Sequence, residues 1–229
     1  MSSKEIQMIS NNSMITDKMK IYLERKNKKN AGIQALFFDL DGTLIDTMDL
    51  HFKAYHETFK ELGGILDRDA FNTLSGPPAH VTIPLFANAS NIKLGGIEDV
   101  KKVHYRKKAI LKILLNNISL PTLPAYEILR DWAGKVHISI VTSGNLEGAT
   151  AILRASGILP LIDALITGDD VATGKPDPEP YMQALTLAGV DPSRGIAFED
   201  HDNGILSAKR ARLDVFDVRT GALIEGENK

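Results

Sequence analysis

From Gly32 onward the chain alternates short, mostly apolar runs with longer stretches in which apolar residues recur every three or four positions. The runs at 33–38, 136–141, 162–167, 196–198 and 215–218 are dominated by β-branched, aromatic and other apolar residues, with only single polar residues among them. That is the pattern of strands buried on both faces of a parallel sheet. Between them, 146–156 before Gly157, 179–188 before Gly189 and 204–212 read as helices, two of them stopped by glycine. The β-α-β-α order predicts an α/β fold built on a doubly wound parallel sheet. From Thr47 to Leu120 the alternation breaks: helical periodicity covers 47–62, 79–88 and 98–117 with no strand between, so a helical insertion follows the first strand. Gly63-Gly64 and Gly95-Gly96 punctuate this insertion, and Pro121 and Pro124 mark the return to the sheet.

Residues 1–30 differ from the rest, with seven basic against three acidic side chains, net +4 where the whole chain of 229 residues carries −2. They have few strong apolar anchors, so the expectation is a mobile leader with at most a short helix over 14–24. No apolar stretch follows the basic start as a secretory signal requires. No run approaches the roughly 20 apolar residues that cross a bilayer. The near-zero net charge lacks the basic bias of a nucleic-acid binder, and with no cysteine at all, disulfides, thiolate metal sites and a cysteine nucleophile are excluded. The expectation is a cytoplasmic protein whose partner is neither nucleic acid nor membrane.

In open α/β sheets ligands bind beyond the carboxyl ends of the strands, and four of these ends carry polar groups. The first run ends in Asp39-Leu40-Asp41-Gly42-Thr43. Two carboxylates two apart on an extended segment point to one side, and they are tolerated only with a cation between them or with one protonated. Taken alone, the motif is as readily an Asx turn closing a strand. Thr142-Ser143-Gly144-Asn145 offers hydroxyls and backbone amides at a helix start, suited to an anion or simply to capping. Lys175, between Gly174 and Pro176, lacks the glycine spacing of a nucleotide-binding phosphate loop and by itself reads as a solvated lysine. Glu199-Asp200 after a buried strand can supply hard oxygen ligands to magnesium.

In this order the four motifs, Asp39 to Thr43, Thr142, Lys175 and Glu199-Asp200, resemble those of the haloacid dehalogenase superfamily. Asp46-Thr47 followed by His51 and Ala54-Tyr55 resembles the opening of the helical cap in its beta-phosphoglucomutase-like branch, which includes small sugar-phosphate phosphatases of the fructose-1-phosphate type. The resemblance implies a Rossmann-like core over 31–46 and 121–229 with a helical cap over 47–120. It implies a magnesium-dependent phosphatase acting on a small phosphorylated metabolite, a sugar or polyol, through an aspartyl-phosphate. Asp39 would be the nucleophile and Asp41 the general acid and base. Thr142 and Ser143 would bind the phosphoryl oxygens and Lys175 would offset negative charge. Asp39, the backbone carbonyl of Asp41, Asp200 and Glu199 would serve the metal. His51 is the cap residue singled out for substrate binding, with an ordinary half-buried histidine the competing reading. The cap loop Ser75 to His80 is expected to reach toward substrate, and the basic run Lys101, Lys102, Arg106, Lys107 and Lys108 reads as a solvated helix face.

Two positions depart from the family pattern: His201 stands where relatives commonly have serine, and Ala211-Arg212 where the helix commonly ends in Ala-Gly. The alternatives are a sugar phosphomutase and a non-catalytic relative. The first is disfavoured by Pro77, Pro78 and Ala79, where mutases of the branch commonly place an arginine, and the second by competent residues at every catalytic position. A monomer is expected.

Overall fold

The apolar runs are the strands of one sheet in the computed structural model, which describes residues 3–28, 32–75, 79–115 and 120–227. The strands are β1 (Ala35–Phe38), β2 (His137–Val141), β3 (Ala164–Ile166), β4 (Gly195–Glu199), β5 (Asp214–Asp217) and β6 (Ala222–Ile224), in the spatial order β3-β2-β1-β4-β5-β6. The first five are parallel, and β6 closes the edge antiparallel to β5. The helices are α1 (Ser3–Lys28), α2 (Met48–Glu61), α3 (Arg68–Leu74), α4 (Ala79–Ala89), α5 (Ile97–Leu115), α6 (Pro124–Trp132), α7 (Leu146–Ala155), α8 (Glu179–Ala188) and α9 (Asp202–Arg210). The chain divides into two compact units, Met1–Asp46 with Leu120–Lys229, and Thr47–Ser119.

Successive side chains of a strand face opposite ways, so Phe37 and Phe38 enter different layers. On one face Phe37, Val141, Ala197 and Val215 pack with Tyr181, Ala184 and Leu185 of α8 and Ala208 of α9. On the other, Phe38, Phe198 and Phe216 lie in register across three strands and stack, with centroids 4.6 Å and 5.8 Å apart. Tyr22 of α1 meets Phe216 edge-on at 5.3 Å. Residues 3–28 are therefore a long helix rather than a mobile leader with a short helix over 14–24. The physical reason is the spacing of Ile15, Met19 and Leu23, which puts all three on one helical face, and that face is buried. Lys26 Nζ (2.7 Å) and Tyr22 Oη (3.1 Å) both donate to the buried carboxylate of Asp214, while Lys20 reaches Glu127 on α6 at 3.1 Å.

The unit 47–119 has a separate aromatic core. Tyr55 and Phe59 of α2, Phe71 of α3 and Phe86 of α4 converge on Val100 and Val103 of α5. Tyr55 meets Phe86 edge-on at 4.9 Å. Helices α2, α4 and α5 occupy the three helical stretches of the sequence pattern, while α3, about two turns capped by the Asp67 side chain on the Ala70 amide, has too few residues to leave a periodic signal. Gly76, Pro77 and Pro78 of the expected cap loop lie outside the described residues.

Candidate active site

The strand order reverses direction beside β1: the chain runs from β1 through β2 to β3 on one side, then crosses to β4 and β5 on the other. This switch point leaves a crevice at the carboxyl ends of β1 and β4. Phe38 is level with Ile140 and Phe198, so the residue following it, Asp39, emerges between the ends of β2 and β4, its amide donating to Phe198 O at 3.0 Å.

Lys175 joins these ends. Its ammonium donates to Asp39 Oδ1 at 2.7 Å, to Glu199 Oε1 at 2.6 Å and to the Val141 carbonyl at 2.7 Å. All three of its protons are spent, and its side chain is only 5% exposed. The solvated-lysine reading of this residue is thereby replaced by a buried one. Burial opposes the lysine's charge, but the carboxylates of Asp39 and Glu199 outweigh it and hold the ammonium well above its usual pKa. The loop that carries Lys175 is itself tied down: Glu179 accepts from the amides of Ala172 and Thr173, both at 2.8 Å.

Asp39, Glu199 and Asp200 each bring one carboxylate oxygen within 4.8 Å of the others. Two glycines make this crowding possible. Gly42, at φ +83°, turns the chain after Asp41, and a Cβ there would stand 2.2 Å from Asp200 Oδ2; at Gly204 in the first turn of α9, a Cβ would stand 2.1 Å from the Glu199 carboxylate. Thr43 Oγ1 donates to Asp200 Oδ1 at 3.2 Å. Burial drives all three acids toward their neutral forms, and the charge of Asp39 adds to this for the other two: Glu199 is pushed up to about 8 and Asp200 to about 7. Two buried acids, Asp39 and Glu199, and the half-buried Asp200, with one buried ammonium among them, form a hard-oxygen donor set short of positive charge, which suits a divalent cation such as magnesium.

Asp41 lies in the tight turn that follows Asp39 and bridges to Ile45, and its carboxylate is not one of the three in the cluster. Thr142 is buried at the end of β2, where its Oγ1 accepts from the Gly144 amide at 3.0 Å and keeps its own proton for an acceptor; Ser143 beside it is exposed. His51 belongs to the helical unit. There its Nδ1 lies 2.6 Å from Lys107 Nζ, and that ammonium sits 4.9 Å above the Tyr55 ring. Lys107 is buried at 7% exposure, which corrects its place in the solvated basic run, whereas Lys101, Lys102 and Arg106 pair on the surface with Glu98, Asp99 and Glu61. Of the two departures, His201 caps α9 by accepting from the Asn203 amide at 3.3 Å, the task of a serine at an N-cap. Arg212 sits at φ +65°, the left-handed position that a glycine fills without strain.

A lysine-bridged acidic cluster at the switch point of a doubly wound sheet is an arrangement suited to phosphoryl transfer. The chain belongs to the haloacid dehalogenase-like hydrolase family, whose model matches residues 36–218. It is 31% identical over 183 residues to a phosphorylated carbohydrates phosphatase of Thermotoga maritima, covering 80% of this chain and 83% of the relative. With the fructose-1-phosphate phosphatase YqaB of Escherichia coli it shares 29% identity over 184 residues, 80% of this chain and 95% of the relative. The crystal structure of CbbY from Rhodobacter sphaeroides in complex with phosphate superposes with a TM-score of 0.71 at 29% identity, covering 80% of this chain and 84% of that one. Tyr181 and Lys107 escaped the sequence reading, one as a helix-core aromatic and the other inside a basic run. No helix among the described residues is long and apolar enough to cross a membrane.

Proposed function

We propose that the protein is a magnesium-dependent phosphatase of small phosphorylated sugars or polyols, working through an aspartyl-phosphate on Asp39. The observation that carries the reading is the single ammonium of Lys175 held between Asp39 and Glu199, with Asp200 beside them. That arrangement keeps a buried carboxylate available as a nucleophile next to a site that attracts charge of the opposite sign.

Asp39, Asp200 and the backbone carbonyl of Asp41 would hold the ion, with Glu199 as a further ligand or an orienter of the others. Magnesium, when bound, supplies the positive charge that lets an anionic carboxylate approach an anionic phosphate. An oxygen of Asp39 attacks phosphorus as the bond to the sugar oxygen breaks, and Asp41 gives its proton to that leaving oxygen. Asp41 then takes a proton from the water that attacks phosphorus, releasing inorganic phosphate and the free Asp39 carboxylate. The Thr142 hydroxyl and the Ser143 end of β2 bind phosphoryl oxygens, and Lys175 balances nucleophile and phosphate throughout. His51 is the residue assigned to contact the sugar.

The test is phosphate release from a panel of sugar and polyol phosphates, with magnesium or with chelator, in the wild type and in Asp39→Asn. Release is expected with magnesium alone, concentrated on a few substrates. It should fall by at least ~10⁴-fold in Asp39→Asn, the scale of losing a nucleophile. An inert wild type on every substrate would refute the reading. Interconversion of two sugar phosphates primed by a bisphosphate, without release, would make the protein a mutase instead.

A further inference from the structure

Tyr181 lies in the first turns of α8 with no exposure to solvent. Its hydroxyl donates to Glu199 Oε1 at 2.5 Å, the same oxygen that Lys175 engages at 2.6 Å. The Lys175 ammonium also stands 5.3 Å from the centre of the Tyr181 ring, on its face. One rigid side chain thus touches both the acid and the cation of the cluster. Its neighbours in the sheet-facing core, Ala184 and Leu185, are purely apolar, and a phenylalanine would fill the same space against them. The phenol oxygen is surplus to packing and is spent on Glu199.

From this geometry we infer that Tyr181 is a positioning residue: by donating to Glu199 Oε1 alongside Lys175, it fixes the carboxylate in the orientation that completes the magnesium site. The inference rests on the phosphatase reading above and deepens it. Lys175, itself held by Asp39 and the Val141 carbonyl, pins one side of Glu199 Oε1 but supplies only a single bond to it, about which the carboxylate can still turn. A second donor on a buried helix removes that freedom. Burial and the nearby carboxylates hold the Tyr181 pKa well above its usual value, so the phenol keeps the proton it donates.

The experiment is calorimetric titration of the metal-free protein with magnesium chloride in wild type, Tyr181→Phe, Glu199→Gln and the double variant, with phosphate release measured alongside. Tyr181→Phe should bind magnesium roughly 10- to 100-fold more weakly than the wild type, the usual loss when a ligand's orienting partner is removed. In the Glu199→Gln background the same change should cost less than about 2-fold, because the tyrosine acts through that acid. Equal magnesium affinity in Tyr181→Phe and wild type, or an equal loss in both backgrounds, would overturn the inference. Should Tyr181→Phe fail to fold, site-specific 3-fluorotyrosine at 181 preserves shape while changing the phenol's donor strength; an altered magnesium affinity is expected, and an unaltered one is contrary evidence. A wild type that neither binds magnesium nor releases phosphate would instead defeat the phosphatase reading itself.

Discussion

Replacing Lys175 with methionine keeps the four-atom stem of the side chain and removes its charged end, and the structure sets the size of the consequence. Asp39 Oδ1, Glu199 Oε1 and the Val141 carbonyl each lose a donor at 2.6–2.7 Å. Two buried carboxylates are left without their cation. Removing one partner of a buried ion pair costs about 3–5 kcal/mol, and about 2–4 °C of melting temperature follows each kcal/mol at this chain length. In chelator at pH 8, Lys175→Met should therefore melt ~6–20 °C below the wild type. The loss depends on pH in a fixed direction. Without the ammonium, Asp39 and Glu199 hold protons in the folded state that the unfolded chain releases, so the stability of the variant falls as pH rises from about 5 to 8. The gap to the wild type should narrow as pH falls toward 5, because protonation removes the uncompensated negative charge that only the variant carries. Scanning calorimetry at the two pH values reads both quantities, and phosphate release should drop by ~10²- to 10³-fold, as when a charge-stabilising donor is lost. A melting temperature within about 2 °C of the wild type at pH 8, or an equal gap at both pH values, refutes the view of Lys175 as the buried counter-charge.

Glu199 is raised from 4.5 to about 8 and Asp200 from 3.8 to about 7, so the folded state binds extra protons between those values. Magnesium-free wild type should lose stability as pH rises through that window, by up to ~1.4 kcal/mol per pH unit per group, and saturating magnesium should flatten the curve in a thermal-shift series. Gly42→Ala and Gly204→Ala each drive a Cβ to about 2.2 Å or less from a carboxylate of the cluster, so both should abolish phosphate release; full activity in either would contradict the packing described. Truncation of residues 1–28 removes the fully buried Met19 and Leu23, worth ~1.5–3 kcal/mol each, together with two side-chain donors to Asp214. The truncated protein should unfold at least ~6 °C lower by circular dichroism. Arg212→Gly relieves a left-handed residue at φ +65° and should raise stability by ~0.5–1 kcal/mol in urea titration.

The parallel strands were legible because burial on both faces leaves short runs dominated by apolar residues, unbroken in Ala35–Phe38 and interrupted by His137 and Ser139 in His137–Val141. Strand β6 was not, since its three residues, Ala222 to Ile224, are largely exposed and follow no period. The length of α1 was hidden because Ile15, Met19 and Leu23 are diluted by lysines and asparagines, and only the site that receives them makes them anchors. Within the cluster, Asp39, Glu199 and Asp200 stand out in sequence as acids beside apolar strands. Lys175 did so only through the company of the other motifs, because nothing near it in the chain foretells that it will be buried. Tyr181 and Lys107 could not be read: one is the lone aromatic of α8 and the other one lysine among several in α5, and what sets each apart is a partner distant in sequence, Glu199 in one case and His51 in the other.

The contact between Lys175 and the Val141 carbonyl links the ends of three strands through one nitrogen: β1 through Asp39, β2 through Val141 and β4 through Glu199. The alignment of those strands is therefore a parameter of the chemistry as well as of the fold. A core substitution that shifts β2 against its neighbours should be felt at Asp39, the proposed nucleophile, through the hydrogen bonds of Lys175. Variation in this chain should accordingly be penalised twice beneath the sheet ends, once as lost stability and once as lost rate, while remote surface positions bear neither cost.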